Sequence, residues 1–253
     1  MPRRSARFSA VEMDAMPGGP GVFPTVRSGA GLQGTTGTRS TLGLRHWVLA
    51  GLLTLGFAAG CTSAPAPTGP VVALITIDTW RLDHFSATHT PNLWALAAQG
   101  ERFTNAWTPI GLTTPAHVSM WTGLAPWEHG VEGNNHHGYV LDGGVPYYPE
   151  RPAHAAWAKG AFVSAYPAGP EGGLARGWTV FEGPQSGERP GDVAVAQALA
   201  WLPTDQPALL WVHVYEPHGP YVGDGPDDVA RYAEEVSRAD ALLKPLLDEL
   251  TKR

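Results

Sequence analysis

Residues 71–78 read VVALITID, a continuous apolar run that ends in an acid. A run of this kind, rich in β-branched residues, is typical of a parallel strand that is buried on both faces. A second run, ALLWVHVY, occupies residues 208–215, and shorter strand candidates lie at 103–107 and 161–165. We expect the strand over 71–78 to be central, with the strands near 161–165 and 208–215 beside it.

Sequence patterns typical of helices lie between these predicted strands. Thr90-Pro91 and Thr114-Pro115 each combine an N-cap residue with a proline suited to the first helical turn. Further helices are predicted over 192–202 and 227–250, the second of them long and amphipathic. Because strands alternate with helices, the sequence predicts an α/β fold with a mostly parallel central sheet and helices on both faces.

Composition excludes several classes of protein. The chain has 253 residues, a formal net charge of −6 and a single cysteine. A net negative charge argues against a nucleic-acid partner, because nucleic-acid binders normally present a basic face. One cysteine excludes both a disulfide framework and a cysteine-rich zinc site.

The beginning of the chain has the pattern of an export signal. Residues 47–60 read WVLAGLLTLGFAAG without a charge, and Arg45 precedes them. Fourteen residues are short for a membrane span but suit the apolar region of a signal peptide. The sequence Ala58-Ala59-Gly60-Cys61 resembles a bacterial lipobox, which would make Cys61 the lipidated first residue of the mature protein. The alternative is a buried helix that ends at a structural cysteine.

These observations divide the chain into three parts. Residues 1–61 are predicted to be a leader with a lipoprotein signal peptide, and residues 62–70 a linker rich in proline, alanine and threonine. Residues 71–253 are predicted to form the α/β domain. The expected location is the bacterial cell envelope, with a lipid anchor in the outer membrane or on the periplasmic face.

We expect the ligand-binding and reactive residues to lie where strands end and helices begin. Ligands of open α/β sheets bind beyond the C-terminal strand ends, where Asp78 and residues 216–218 lie. Thr113 lies just ahead of a predicted helix, whose free N–H groups and dipole would favour an anionic ester. Taken alone, Asp78 could be an ordinary solvated residue at a strand end. Likewise, Thr113 or Thr114 could simply cap the helix, and we assign that part to Thr114.

Several ordered segments resemble the sulfatase family of the alkaline phosphatase superfamily, and the resemblance covers residues 71–250. The segments are ITIDTWRLDH (75–84), TPNLWALAAQGERFTNAW (90–107), LTTPAHVSMWTGLAPWEHGV (112–131), WVHVYEPHGPY (211–221) and the weaker FVSAYPAGPEGGLARGWTVFEG (162–183). The resemblance implies a hydrolase of sulfate or phosphate esters that acts on a small anionic substrate. It also implies a divalent metal, with calcium or magnesium favoured and zinc or manganese as alternatives.

Residue by residue, the resemblance implies five roles. Asp78 would be a metal ligand, and Thr113 stands at the position of the nucleophile. His117 stands where the family has arginine, and could bind the nucleophile or orient the ester. His218, in a Glu-Pro-His segment that is similar to the Asp-Pro-His of the family, would contact the ester or protonate the leaving group. His213 would support substrate binding from the preceding strand.

The chain departs from the family at two positions. Sulfatases convert cysteine or serine to formylglycine, and threonine at position 113 cannot give that aldehyde, so no formylglycine is expected. Sulfatases also place two acids where this chain has Asp78-Thr79. A threonine alkoxide is instead similar to the phosphodiesterase and phosphoethanolamine-transferase relatives, so the residue chemistry favours phosphate esters.

The second group of metal ligands in the family, an Asp-His-Gly type of motif, is expected after the long helix, where this chain ends. Three interpretations remain open: a truncated hydrolase, a non-catalytic lipoprotein of the same fold, or half of a site that a second chain completes. The adjacent His136 and His137 resemble a metal pair, but neighbours in a loop point in different directions, so we expect no metal there.

Overall fold

The structure, a computed structural model, describes residues 9–15 and 69–253. Six strands lie in these ranges: β1 (Ser9–Ala15), β2 (Val71–Ile77), β3 (Glu101–Thr108), β4 (Ala158–Val163), β5 (Val180–Glu182) and β6 (Ala208–Val214). Four of them form one sheet in the order β2-β6-β4-β5, and every neighbouring pair is parallel. The predicted α/β class with a mostly parallel sheet is therefore confirmed.

The order of the strands corrects one expectation. Strand β2 was expected at the centre, but it lies at an edge of the four-stranded sheet, and β6 lies between β2 and β4. All seven residues of β6 are buried, whereas Val72 of β2 is 42% exposed. An apolar run indicates that a strand is largely buried, but it does not define which neighbours flank it.

Strand β3 covers the candidate at 103–107 but does not join this sheet. It pairs in parallel with β1, in a register that aligns Ser9 with Glu101 and Ala15 with Thr108. Residues 1–61 were expected to be a leader, so the strand at Ser9–Ala15 was not anticipated. Cys61, the rest of the signal segment and most of the linker lie outside the described residues.

The described residues also contain five α-helices, of which four lie between strands and the last follows β6. They are α1 (Pro91–Ala97), α2 (Thr113–Thr122), α3 (Pro126–His129), α4 (Gly191–Trp201) and α5 (Asp228–Thr251). The start of α2 differs from the expectation, because Leu112 is the N-cap and Thr113 is already the first helical residue. Thr114 is therefore not the cap; its hydroxyl donates to the carbonyl of Pro167 at 2.6 Å.

Apolar cores cover both faces of β6, since successive side chains of a strand point to opposite faces. Leu210, Val212 and Val214 pack with α4 and α5, and Leu209 and Trp211 pack with residues of α2. This alternation places helices on both faces, as predicted. In the part of the chain that the structure describes, none of the helices has the length and apolar character that crossing a membrane requires.

Candidate active site

Asp78 and Thr113 meet at the carboxyl end of β2. Asp78 directly follows the strand, and Thr113 is the first residue of α2. The hydroxyl of Thr113 donates a hydrogen bond to Oδ2 of Asp78 at 3.2 Å. A nucleophile candidate and a carboxylate thus face each other where a strand end meets the positive end of a ten-residue helix.

His213 lies on the other side of the same carboxylate. Its Nε2 is 3.4 Å from Oδ2 of Asp78, and its side chain is fully buried. Burial alone would raise the pKa of the Asp78 carboxyl. The adjacent His213, together with charge effects of His117 and His218, outweighs burial and holds this pKa below its usual value. Asp78 is therefore an ionised acceptor at neutral pH.

His117 is buried one turn after Thr113, and both of its ring nitrogens are occupied. Nδ1 lies 2.7 Å from the carbonyl oxygen of Thr113, and Nε2 lies 3.1 Å from Oγ1 of Thr76. Burial, and the charge of the nearby His213, lower the pKa of His117 to about 4. A neutral imidazole with two internal partners has no free nitrogen to offer an ester.

His218 lies in the loop that follows β6. Its ring stacks on Tyr215 with 4.4 Å between centroids, and its Nδ1 lies 2.8 Å from the carbonyl oxygen of Gly219. A carbonyl can only accept, so Nδ1 carries the proton and Nε2 is the nitrogen left for another partner. The neighbouring Glu216 accepts a hydrogen bond from the N–H of Gly191 at the start of α4. Glu216 thus anchors this loop to a helix.

Thr79 occupies the position where the resemblance implied a second acid. Its hydroxyl donates to the carbonyl of Pro217 at 3.2 Å and thus has its own partner in the loop after β6. Its φ of 50° is unusual for a β-branched residue. The hydroxyl of Tyr232 stabilises this conformation, because it donates to the carbonyl of Thr79 and accepts from the N–H of Arg81, both at 2.8 Å.

Two of the N–H groups in the first turn of α2 are already occupied, contrary to the expectation that this turn offers free donors. The N–H of Thr114 donates to Oδ1 of Asn134 at 2.9 Å, Pro115 has no N–H, and the N–H of Ala116 donates to Leu112. The side chain of Asn134 therefore occupies this end of the helix. Because its oxygen faces Thr114, its amide nitrogen remains as a donor close to Thr113.

The described residues do not form a complete metal site. No group of three His, Cys, Asp or Glu side chains within 69–253 is arranged to hold a metal ion. Asp78 supplies one carboxylate, whereas calcium takes six to eight oxygen ligands and magnesium six. His136 and His137, which were expected in a loop, are exposed neighbours in a short 3-10 helix (Asn135–His137), with 4.1 Å between their ring centroids.

The structure brings together Asp78, Thr113, His117 and His213, and His218 contributes to the electrostatic environment of Asp78. Sequence analysis did not identify Thr76, Asn134 or Trp211 as contributors. Their role depends on which side chains the fold brings close, and a Thr, an Asn or a Trp carries no spacing signal. The adjacent pair Asn134-Asn135 in a polar loop was the one local signal available.

Two comparisons find relatives of a part of this chain. The family model of the type I phosphodiesterases and nucleotide pyrophosphatases matches residues 72–167, a range that includes Asp78, Thr113 and His117. Bovine arylsulfatase A is 38% identical over 82 residues, which are 31% of this chain and 16% of that protein.

Solved structures extend the likeness to most of the described residues. The phosphonate monoester hydrolase of Agrobacterium radiobacter superposes with a TM-score of 0.57 at 18% identity, over 73% of this chain and 59% of that one. Murine ectonucleotide pyrophosphatase/phosphodiesterase 5 superposes with a TM-score of 0.50 at 21% identity, over 73% of this chain and 52% of that one. This chain thus spans a part of each relative. At these identities the likeness shows the fold alone: the described part of this chain has a sulfatase-like fold.

Proposed function

We propose that this domain provides the nucleophile side of an ester hydrolase, with Thr113 as the attacking hydroxyl and singly charged phosphate esters as preferred substrates. The hydrogen bond from the Thr113 hydroxyl to Asp78 carries the proposal. It holds the hydroxyl at the start of α2 and gives its proton an ionised acceptor. A positioned hydroxyl beside a base is the arrangement that nucleophilic catalysis needs.

The preference for phosphate follows from the side chain at position 113. Threonine cannot become formylglycine, so the sulfatase route through an aldehyde hydrate is closed to it. An aryl sulfate, a phosphonate monoester and a phosphodiester, the substrates that the names of the relatives indicate, each carry one negative charge on a tetrahedral group. Among these, phosphodiesters best fit a threonine nucleophile.

Asn134 is proposed to contact the ester. The N–H groups of Thr114 and Ala116 are occupied, whereas the side-chain amide of Asn134 is held beside Thr113 by the N–H of Thr114. A fixed amide donor can stabilise the charge that develops on a non-bridging oxygen. His218 is the candidate for protonating the leaving group: its Nδ1–H stays bonded to the carbonyl of Gly219, and only the imidazolium form carries a second proton, on Nε2, that it can give up.

The test uses bis(4-nitrophenyl) phosphate, 4-nitrophenyl phosphate and 4-nitrophenyl sulfate with the purified chain, with calcium, magnesium, manganese or zinc supplied. The diester should be hydrolysed fastest. Thr113→Ala should lower kcat on the order of 10³-fold, as expected for a nucleophile, and Thr113→Ser should retain activity. The control is Thr122→Val, because the hydroxyl of Thr122 donates to Val118 on the same helix, away from the site. Diester turnover that survives in Thr113→Ala would refute the assignment.

A second proposal takes account of the incomplete ligand set. Asp78 is the metal ligand that this chain would contribute, and a second chain would supply the others; a non-catalytic envelope protein of the same fold is the remaining alternative. Stoichiometric metal by elemental analysis, together with turnover, would favour a complete enzyme. Neither metal nor turnover in the isolated chain would favour one of the other two.

The location is proposed from the sequence pattern alone. Lipidation at Cys61 would tether the domain to the bacterial cell envelope through the short linker after it. Intact mass spectrometry of detergent-extracted protein should find a diacylglycerol-modified Cys61 at the mature N-terminus. Cys61→Ser should release the protein into the soluble fraction. An unprocessed N-terminus on soluble wild-type protein would exclude the anchor.

A further inference from the structure

Thr113 is held at two points from the carboxyl end of strand β2. Its hydroxyl donates to Asp78, and its carbonyl oxygen lies 2.7 Å from Nδ1 of His117, whose Nε2 contacts Thr76. Thr76 lies in β2 and Asp78 directly follows this strand, so both supports of Thr113 come from the same strand end. The strand therefore fixes both the side chain and the backbone of the nucleophile candidate.

The partners of His117 determine the direction of each hydrogen bond. The carbonyl of Thr113 can only accept, so Nδ1 of His117 carries the proton. In the neutral ring Nε2 is then an acceptor, so the hydroxyl of Thr76 donates to it. Oγ1 of Thr76 accepts in turn from Nε1–H of Trp211 at 3.2 Å. A series of hydrogen bonds thus runs from Trp211 through Thr76 and His117 to the carbonyl of Thr113.

This series of hydrogen bonds begins at a side chain in the core. Trp211 is fully buried on β6, and its ring packs against those of Trp121, Trp178 and Phe181. It also lies 5.3 Å, centroid to centroid, from the ring of His117. A side chain locked by this packing is a fixed donor, and fixed supporting groups are what hold a reactive residue in its productive geometry.

We propose that His117 is a positioning residue and that the relay Trp211–Thr76–His117 aims the hydroxyl of Thr113 at Asp78. This assignment replaces the catalytic role that the sequence suggested for His117, because a ring with both nitrogens engaged has no donor left for substrate. The inference deepens the proposed function and uses it only for the role of Thr113. The relay itself can be tested without turnover.

The first measurement needs no variant. Long-range ¹H–¹⁵N correlation spectra of the ¹⁵N-labelled full chain at about pH 7 should show His117 as the neutral Nδ1–H tautomer. They should also show the indole N–H of Trp211 protected from exchange. An Nε2–H tautomer or a charged ring for His117 would overturn the proposal, because either state reverses the Thr76 bond.

The second measurement removes the central hydroxyl. Thr76→Val keeps the shape of the side chain and should shift the ring-nitrogen signals of His117. Since about one neutral hydrogen bond is lost, exchange of the Trp211 indole N–H should accelerate roughly tenfold. Thr76→Ser should restore both signals, and Thr122→Val, outside the relay, should leave them unchanged. His117 and Trp211 signals that are unmoved in a folded Thr76→Val protein would overturn the relay.

The third measurement separates this inference from the proposed function. If the wild-type chain hydrolyses the diester, Thr76→Val should lower kcat and leave KM nearly unchanged, because the relay aims the nucleophile and does not touch substrate. Thr76→Ser should recover most of kcat. A rise in KM at unchanged kcat would contradict a positioning role. Absence of turnover in the wild type would refute the proposed function and leave the spectroscopic test intact.

Discussion

The hydroxyl of Thr113 and Oδ2 of Asp78 are 3.2 Å apart and join the start of helix α2 to the end of strand β2. The same oxygen lies 3.4 Å from Nε2 of His213. One lone carboxylate oxygen thus faces a hydroxyl and an imidazole. Groups of the protein itself therefore stabilise the charge of Asp78.

We expect the chain by itself to bind divalent cations weakly, with Kd no tighter than about 1 mM, because a hard cation needs several oxygen ligands and Asp78 is a single carboxylate. Isothermal titration with calcium, magnesium, manganese and zinc chlorides checks this. Asp78→Asn should change the heats little. Binding tighter than about 1 mM that Asp78→Asn abolishes would contradict the expectation.

Asp240 on α5 should be a major contributor to stability. Its carboxylate is 1% exposed and accepts from the N–H of Asn92, the side-chain amide of Asn92 and the N–H of Leu93, at the start of α1. Asp240→Ala leaves these partly buried donors without a partner. We expect a loss of about 2–4 kcal/mol in the free energy of unfolding, measured in urea.

The matched control for Asp240 lies on the same helix. Asp248 is 51% exposed and pairs with Lys244. Asp248→Ala should change stability by less than about 0.5 kcal/mol, because exposed ion pairs contribute little. Equal effects of the two substitutions would show that the contacts of Asp240 do not hold α1.

Stability should fall as the pH drops below about 6.5, the ordinary pKa of histidine. Nδ1 of His129 accepts from the N–H of Val131, and its Nε2 therefore donates to Ser119. Burial lowers the pKa of His129. Burial also lowers the pKa of His117, to about 4. The unfolded chain then binds more protons than the folded one in mildly acid solution, so stability is fully present above the unfolded pKa and is lost on acidification.

Thermal unfolding between about pH 7.5 and pH 5, on either side of the ordinary histidine pKa, measures this effect. His129→Asn keeps an acceptor near the N–H of Val131 without a titrating ring, so its melting temperature should depend less steeply on pH than that of the wild type. His137→Asn changes an exposed histidine and should keep the wild-type slope. A slope that His129→Asn does not alter would contradict the prediction.

Gly191 should tolerate no side chain. A Cβ at this first position of α4 would overlap Val214 and would lie 2.6 Å from Oε2 of Glu216. Gly191→Ala should therefore destabilise the protein by about 1–3 kcal/mol, although alanine is the better helix former. Gly143→Ala is the control, because a Cβ there meets nothing within 4 Å. It should change stability by less than about 0.5 kcal/mol.

The sequence by itself determined most of the local elements and drew attention to Asp78 and Thr113, which the fold brings within hydrogen-bond distance. The apolar run over 71–78 predicted β2, and Asp78 at its end was predicted to lie where ligands of parallel sheets bind. The apolar run over 208–215 and the amphipathic pattern over 227–250 likewise predicted β6 and α5. These predictions succeeded because hydrophobic periodicity and the positions of proline act within a few residues of the chain.

Only the tertiary structure decided the order of the strands and the roles of the histidines. Trp211 lies 135 residues from Thr76, and Asp240 lies 148 residues from Asn92, yet each pair shares a hydrogen bond. The type of a residue limits which hydrogen bonds its side chain can make. Which partners it contacts depends on how segments distant in sequence pack together. His117 was therefore recognisable as a polar residue near Thr113, whereas burial and its two partners, which depend on the complete fold, made it a support for Thr113.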